Sequence, residues 1–553
     1  MKKRLRIGTR GSKLALAQSG QIAARISNLF PEIAVELVPI VTSGDRILDR
    51  PLQEVDGKDF FVKEIDEALL AGFVDLTIHS FKDLSLVRPE GIYLGAVPIR
   101  SDPRDIIIWR EDVQGLLQNE GNQELLLGTS APRRQENILP FLKQSLPWHG
   151  VKPPPPVRAV SIRGNIDSRL RRLEKERGTE SAVDGVVLAL AGLERLFISE
   201  QMDDHLRSIL AKSPKTLLPL MECPTAPAQG ALAIECRAED TEVRAVLGRL
   251  HHPETAAAVD RERMILAEWG GGCHQALGAS CIRVGTGPKH IPIEVMSIVG
   301  RKTEGLRVEE LRLFGVSENF SPKIGVSDFP KSRVSETVRP SETVRPVWRK
   351  KVWDGTEFRS DVAGILPAQE VSDQIENLKE GVSQLFVAHK RALPKGIDPH
   401  SLPQKIWVSG TSTWFALAKQ GVWIEGCADG WGVQNLRDGS WKMSVLGISR
   451  HPDSWIVLTH QGASGWEGHH VIESYGLVRQ TEQQVQLDRL KNAEHLFWAS
   501  AEQFRSWHTL CGPEAWHSSG PGKTADLIMQ NYPDRFLIFS RAKEWRSWLN
   551  ITD

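Results

Sequence analysis

The sequence predicts a multi-domain α/β protein joined to a second, separate α/β region. Three observations carry this. The chain has 553 residues, too many for one core; at about 100–200 residues per domain, three to five domains are expected. Short apolar runs alternate with amphipathic helical patterns along the N-terminal part, as when strands feed helices. Composition then changes sharply near residue 345: the stretch from Trp348 to the C-terminus holds 14 of the 17 tryptophans.

Along the chain, LRIGTR, VELVPIVTSGD, VDLTIHSFKD, LLLGTSAPRRQ, VRAVSIRGN and GVVLALAGL read as strands ending in loops. ALAQSGQIAARISNLF, KEIDEALLAG and IDSRLRRLEKE read as helices between them. Residues 334–347, VSETVRPSETVRPV, repeat SETVRP in tandem and read as a polar linker.

Apolar content of 41% and charged content of 25% are those of a globular protein. Lys+Arg and Asp+Glu are both 69, so no global field favours nucleic acid or a membrane, and neither partner is expected. The six cysteines, at 223, 236, 273, 281, 427 and 511, form no CxxC pair. That is no disulfide framework, and a reduced, cytoplasmic protein is expected. MKKRLRIGTRGSK is basic but lacks a following apolar segment, so it is not a signal peptide. The longest apolar stretch, residues 185–193, is too short to span a bilayer.

In open α/β folds, ligands bind beyond the carboxyl ends of the strands. There lie Arg10, Thr42, Ser43, Asp45, Ser80, Lys82, Asp83, Thr129, Ser130, Arg133, Arg134, Arg163 and Asn165. With Arg169, Arg195, Lys58 and Lys63 they imply a cleft for a polyanion, because a planar guanidinium grips carboxylates in pairs. The bland alternative for any one arginine is a solvated surface charge. GTRGSK has the wrong spacing for a Walker A loop, and in GPGKT the required first glycine falls at His517. The His pairs at 251–252 and 469–470 lack convergent ligand spacing, so no metal is expected.

LRIGTRGSKLALAQ, VTSGDRILD, GKDFFVKEIDEALL, DLTIHSFKDL, DPRD, GTSAPRRQ, SIRGNIDSRL, LALAGLERL, AQGALAIECR and GGCHQALG occur in one order. Together they resemble the successive signature segments of porphobilinogen deaminases. The resemblance implies two periplasmic-binding-protein-like α/β domains, 1–104 plus 216–248 and 105–215, then a small α+β domain, 249–317. It also implies head-to-tail joining of four porphobilinogens, with loss of ammonia, to give hydroxymethylbilane. Each pyrrole carries two carboxylates, which matches the arginine-rich cleft.

Asp83 matches the family's catalytic aspartate, a carboxylate placed to stabilise positive charge on the pyrroles and to shuttle protons; its bland reading is a helix N-cap. Lys82 matches beside it. Cys273 matches the cysteine that holds dipyrromethane by a thioether; its bland reading is a buried structural thiol. Arg10, Ser12, Arg133, Arg134, Arg163, Arg169 and Arg195 match positions that bind cofactor or substrate carboxylates. Thr129, Ser130 and Asn165 fit as polar supports, and Lys58 brackets a loop that in the family closes over the site. Departures are Leu84–Ser85 where VP is usual, GTSA-PRR for GTSS-LRR, HQALG after the cysteine, and an apparent insertion at 145–157. None removes a charged or nucleophilic group.

Beyond the linker, 318–350, an internal repeat emerges. SQLFVAHKRAL precedes SGTSTWFALAKQG as HLFWASAEQF precedes SGPGKTADLIMQN. Each copy is an apolar strand, a strand ending in Ser-Gly, and a Thr-bearing turn opening a helix. Region 351–553 thereby resembles uroporphyrinogen III synthase, a bilobal α/β family that cyclises hydroxymethylbilane. Thr411, Thr413 and Thr524 are the contact candidates there, with plain helix caps as the bland reading. Three functional classes are implied: a two-step monomeric enzyme acting on small molecules, a deaminase with a non-catalytic C-terminal interaction domain, and a non-enzymatic anion-binding protein with an idle Cys273.

Overall fold

The computed structural model describes residues 2–42, 62–118, 124–199, 201–271, 275–286, 292–302, 305–314, 352–356, 361–378, 382–431, 433–478, 484–520 and 523–539, with a few positions between 542 and 549. Five sheets organise them. The first runs Ala34–Ile40, Arg4–Arg10, Leu76–Ser80, Leu232–Arg237, Ile92–Ala96. The second runs Val157–Val160, Leu125–Gly128, Gly185–Ala189, Asp105–Trp109, Lys215–Leu217. In each, parallel strands alternate with helices, and the strand that follows a crossing runs antiparallel: Leu232–Arg237 in the first and Asp105–Trp109 in the second. The chain therefore crosses between these domains twice, through 97–104 and 218–231.

The motif strands form where the apolar runs place them, and each stops at its polar loop. Residues 185–193 depart from the expected strand. Gly185–Ala189 is a strand, but Leu190–Ile198 is a helix. A run apolar at every position has no period to separate the two. The first sheet's core holds Leu5, Ile7, Leu76, Ile78 and Ile234. Beside it, Asp66, His79 and Glu235 converge within 4.8 Å. Arg88 fills the role of their cation, donating to Asp66 at 2.7 Å and Glu235 at 2.8 Å.

The third sheet is an antiparallel meander, Ala276–Thr286, Pro292–Arg301 and Arg307–Phe314, beside helix Pro253–Glu268. From that helix Glu262, fully buried, accepts from both Arg100 amino groups at 2.7 and 2.9 Å and from the Ala228 amide at 2.6 Å. One carboxylate thus pins both crossings to the third domain.

The C-terminal region has two sheets. One is ordered Asp361–Ala363, His470–Val478, Trp455–His460, Gln384–Val387, Lys405–Val408, Gly426–Cys427; the other Val352–Asp354, His495–Trp498, Trp516–Ser519, Phe536–Ile538. Apart from the antiparallel Asp361–Ala363, both are parallel. The tryptophans are largely core: Trp407, Trp414, Trp498 and Trp545 are fully buried.

This region docks on the second domain. The Leu217 amide donates to the Glu425 carbonyl at 2.6 Å, so the two sheets meet edge to edge. Trp414 donates to the Ser145 carbonyl at 3.0 Å and packs edge-on against Phe141, and Trp423 packs edge-on against Trp109. The segment expected as an insertion supplies part of this contact, since the Trp148 amide donates to the Ala418 carbonyl at 2.8 Å. One apolar core is continuous across the junction.

Candidate functional site

The cleft between the first two domains is built around Asp105. This residue ends the first crossing and begins a fully buried strand. Its Oδ2 accepts from Arg133 Nη1 at 2.7 Å and Arg134 Nε at 3.1 Å, and its Oδ1 from Arg134 Nη2 at 2.8 Å and Gln229 Nε2 at 2.9 Å. Burial opposes this carboxylate's charge, but the two guanidiniums outweigh it and hold the carboxyl far below its usual range. Arg133 and Arg134 occupy the first turn of helix Pro132–Ser145, behind Pro132. Cations are unfavourable at that positive end, so the shared carboxylate beneath them is what makes the arrangement tolerable.

Gln229, on the second crossing, joins the domains. Its Oε1 accepts from Arg133 Nη2 at 3.1 Å and from Lys82 Nζ at 3.3 Å, while its amide also donates to the Pro103 carbonyl at 2.7 Å. Burial pushes the Lys82 ammonium below its ordinary value; Asp83 counters this, and Arg134 and Arg133 add to it. Asp83 closes the single helical turn Phe81–Asp83 at the end of strand Leu76–Ser80 and is exposed. The N-cap of that turn is Ser80, so Asp83 does not serve as the cap.

Arg195, 5% exposed, donates from Nη2 to the Ser101 hydroxyl and the Gly230 carbonyl, one on each crossing. Burial lowers its pKa to about 10, and no carboxylate among the described residues pairs with it. A buried guanidinium lacking an acid is costly unless a ligand supplies one. Arg169 is likewise lowered to about 10, by burial first and then by Arg134 and Arg172, and its Nε donates to the Gly164 carbonyl at 2.9 Å.

The remaining expected residues divide by role. Ser12 and Asn165 cap helices Lys13–Leu29 and Ile166–Leu170 by accepting from the Ala15 and Ser168 amides. Thr129 is buried and Ser130 donates to the Ile162 carbonyl, both shaping the loop before the arginine pair. Arg10 ends strand Arg4–Arg10 and Arg163 is exposed on the facing domain. Lys13 pairs with Asp167 at 2.6 Å across the cleft. Lys58 and Cys273 lie outside the described residues, as do Ser43, Asp45 and the linker 318–350. Gly270 and Gly271, leading to Cys273, have φ of 91° and 72°, a backbone only glycine adopts freely.

In the C-terminal region, Thr411 opens helix Thr411–Ala418, but its hydroxyl donates to Glu222 of the second crossing at 2.7 Å. Thr413 is buried, its hydroxyl 3.3 Å from that of Ser409. Thr524 sits half-buried in helix Lys523–Asn531. Sequence reasoning missed Asp105 and Gln229, although Asp105 lies within DPRD and Gln229 within AQGAL. Polar side chains inside an otherwise buried strand and crossing were the signal that could have found them.

The family model described as porphobilinogen deaminase, dipyromethane cofactor binding domain, matches residues 5–245. A porphobilinogen deaminase of Syntrophobacter fumaroxidans is 42% identical over 278 residues, half of this chain and 78% of the relative. The chain belongs to the porphobilinogen deaminase family. Porphobilinogen deaminases of Geobacter metallireducens and Syntrophotalea carbinolica are each 41% identical, over 277 and 275 residues; each match covers 50% of this chain and 77% of the relative. The N-terminal half is thus a hydroxymethylbilane synthase of tetrapyrrole biosynthesis, and its cofactor is dipyrromethane. Its mixed α/β domains agree with the fold the resemblance implied. Among the described residues, no helix is long and apolar enough to cross a membrane.

Proposed function

We propose that this chain couples the deaminase to cyclisation of hydroxymethylbilane to uroporphyrinogen III by residues 351–553. The observation carrying the reading is a repeated unit in two parallel sheets. Strand Lys405–Val408 runs through Gly410 into helix Thr411–Ala418, and strand Trp516–Ser519 leads to helix Lys523–Asn531. Two such lobes can present backbone amides and helix N-termini to a carboxylate-rich product. A pathway order in which one half makes what the other consumes supports the pairing. The protein acts as a cytoplasmic monomer on small molecules.

In the deaminase half, the Arg195 guanidinium, without an acid partner among the described residues, and the glycines before Cys273 fit a carboxylate-bearing group anchored on that thiol. The dipyrromethane, when bound through Cys273, supplies the pyrrole terminus from which the product chain is built. Arg133, Arg134, Arg163, Arg169 and Arg195 hold pyrrole carboxylates, with Arg10 and Ser12 on the facing domain; Thr129, Ser130 and Asn165 keep their loops in shape. Lys58, by its match to the family's pattern, is the further cation assigned to these carboxylates. The Asp83 carboxylate accepts a hydrogen bond from the reacting pyrrole N–H, stabilising the positive charge that develops as ammonia leaves. Lys82, short of its full basicity, lies beside it to deliver a proton to the departing amine.

A second reading, a deaminase with a non-catalytic C-terminal partner domain, is favoured by one observation: the Thr411 hydroxyl is already engaged by Glu222. The test is to incubate the full chain with porphobilinogen, oxidise, and separate the porphyrin isomers. Isomer III in excess means both halves work. Isomer I alone, the product of unaided closure, removes the synthase reading and leaves the partner domain.

A further inference from the structure

One side chain of the C-terminal region, Asp429, touches both inter-domain crossings. The Asp429 side chain is fully buried; its Oδ2 accepts from Arg104 Nη2 at 2.9 Å on the first crossing, and its Oδ1 lies 3.5 Å from the Met221 amide on the second. Arg104 also binds Asp102 at 2.8 Å, and the Ser440 hydroxyl joins this pair, accepting from Arg104 and donating to Asp102. A third attachment is Glu194, whose oxygens accept from the Ser444 and Val445 amides at 2.8 and 2.9 Å.

Each anchor adjoins a residue of the deaminase cleft. Arg104 precedes Asp105, which carries Arg133 and Arg134. Glu194 precedes Arg195. Met221 and Glu222 begin the crossing that delivers Gln229. Asp429 itself is held at φ 53°, and among the described residues the one other non-glycine with positive φ is Ala228, on the second crossing. Backbone strain of this kind persists only where surrounding contacts enforce it, and at Asp429 the contacts come from the opposite half of the chain.

We propose that Asp429 is a positioning residue for the deaminase reaction, fixing both crossings and with them the spacing of the Lys82–Asp83 side of the cleft from its arginine side. It touches no reacting atom. It acts through Arg104 and the Met221 amide, so its loss weakens capture of carboxylates by misaligned arginines more than it slows the chemical step.

The test uses full-length Asp429→Asn, which tolerates the same backbone and keeps the side-chain size. Turnover is measured per cofactor-bearing enzyme, counted by intact mass. The expected result is a KM for porphobilinogen raised at least about fivefold while kcat changes less than about twofold. A purely structural loss lowers the loaded fraction and leaves KM of the survivors unchanged, which would overturn the proposal. Ser440→Ala, which removes only the hydroxyl bridging Arg104 and Asp102, keeps the test decisive if Asp429→Asn does not fold. It should raise KM in the same direction by about twofold or more, and a wild-type KM there overturns the proposal as well.

Discussion

In Asp105→Asn the carboxylate beneath the arginine pair becomes an amide of nearly the same size. One oxygen remains, able to accept two of the four bonds now made by Arg133, Arg134 and Gln229. The other position becomes a donor facing donors, and two guanidiniums with side chains 8% exposed lose their shared counter-charge. Removing one partner of a buried charged set costs about 3–5 kcal/mol. If about 3 kcal/mol of that appears in substrate binding, kcat/KM falls about 100-fold, at 1.36 kcal/mol per decade. The assays are steady-state turnover of porphobilinogen and urea unfolding followed by tryptophan fluorescence. The pH dependence has a definite sign. Asp105 is depressed in the fold, so its contribution is complete above the unfolded carboxyl value near about 3.9 and fades only as pH falls further. The variant should lose that acid-limb dependence. A kcat/KM within about twofold of wild type with an unmoved midpoint would refute the reasoning.

Asp83→Asn should nearly abolish ammonia release while circular dichroism stays unchanged, since Asp83 is exposed; undiminished turnover removes it from the mechanism. Cys273→Ala should give an intact mass equal to the bare chain, and a retained pyrrole adduct would refute the attachment site. Arg195→Gln should raise KM about 10- to 100-fold yet leave thermal stability equal or higher, because it removes a buried cation that has no described acid partner; a large fall in stability would contradict this. Glu425, pushed up to about 7 by burial against the pull of Lys215 and Lys405, favours its neutral form at the junction. Its contribution is full below the unfolded value near about 4.3 and is lost as pH rises through about 7. Thermal scans from pH 5 to 8 should therefore slope downward in wild type and flatten in Glu425→Gln.

The deaminase elements were legible because each strand ends at a loop whose residues have a chemical task. Arg10, Asp83 and Arg133 could be placed at strand ends or helix starts from sequence alone. Asp105 and Gln229 were not singled out, because their partners lie 28, 29 and 124 residues away and no local pattern encodes such pairing. The helix at Leu190–Ile198 was hidden by the apolar run that also forms the strand before it. The 145–157 segment reads as an insertion against the family's pattern; its contact with helix Thr411–Ala418 was not legible, because that helix lies far along the chain. The C-terminal repeat was legible as strand and helix; the engagement of Thr411 by Glu222 was not, since only folding brings them together.

The edge-to-edge meeting of Leu217 with Glu425 also sets a timetable for biosynthesis. The second domain leaves the ribosome about 200 residues before its covering strand exists, which at about 5–20 residues per second is a delay of about 10–40 s. During that interval strand Lys215–Leu217 is an uncapped edge and Trp109 lacks the ring of Trp423. Unpaired edges template association with other chains. A polypeptide halted in the linker would keep that face exposed for its whole lifetime, an edge open to association with other chains.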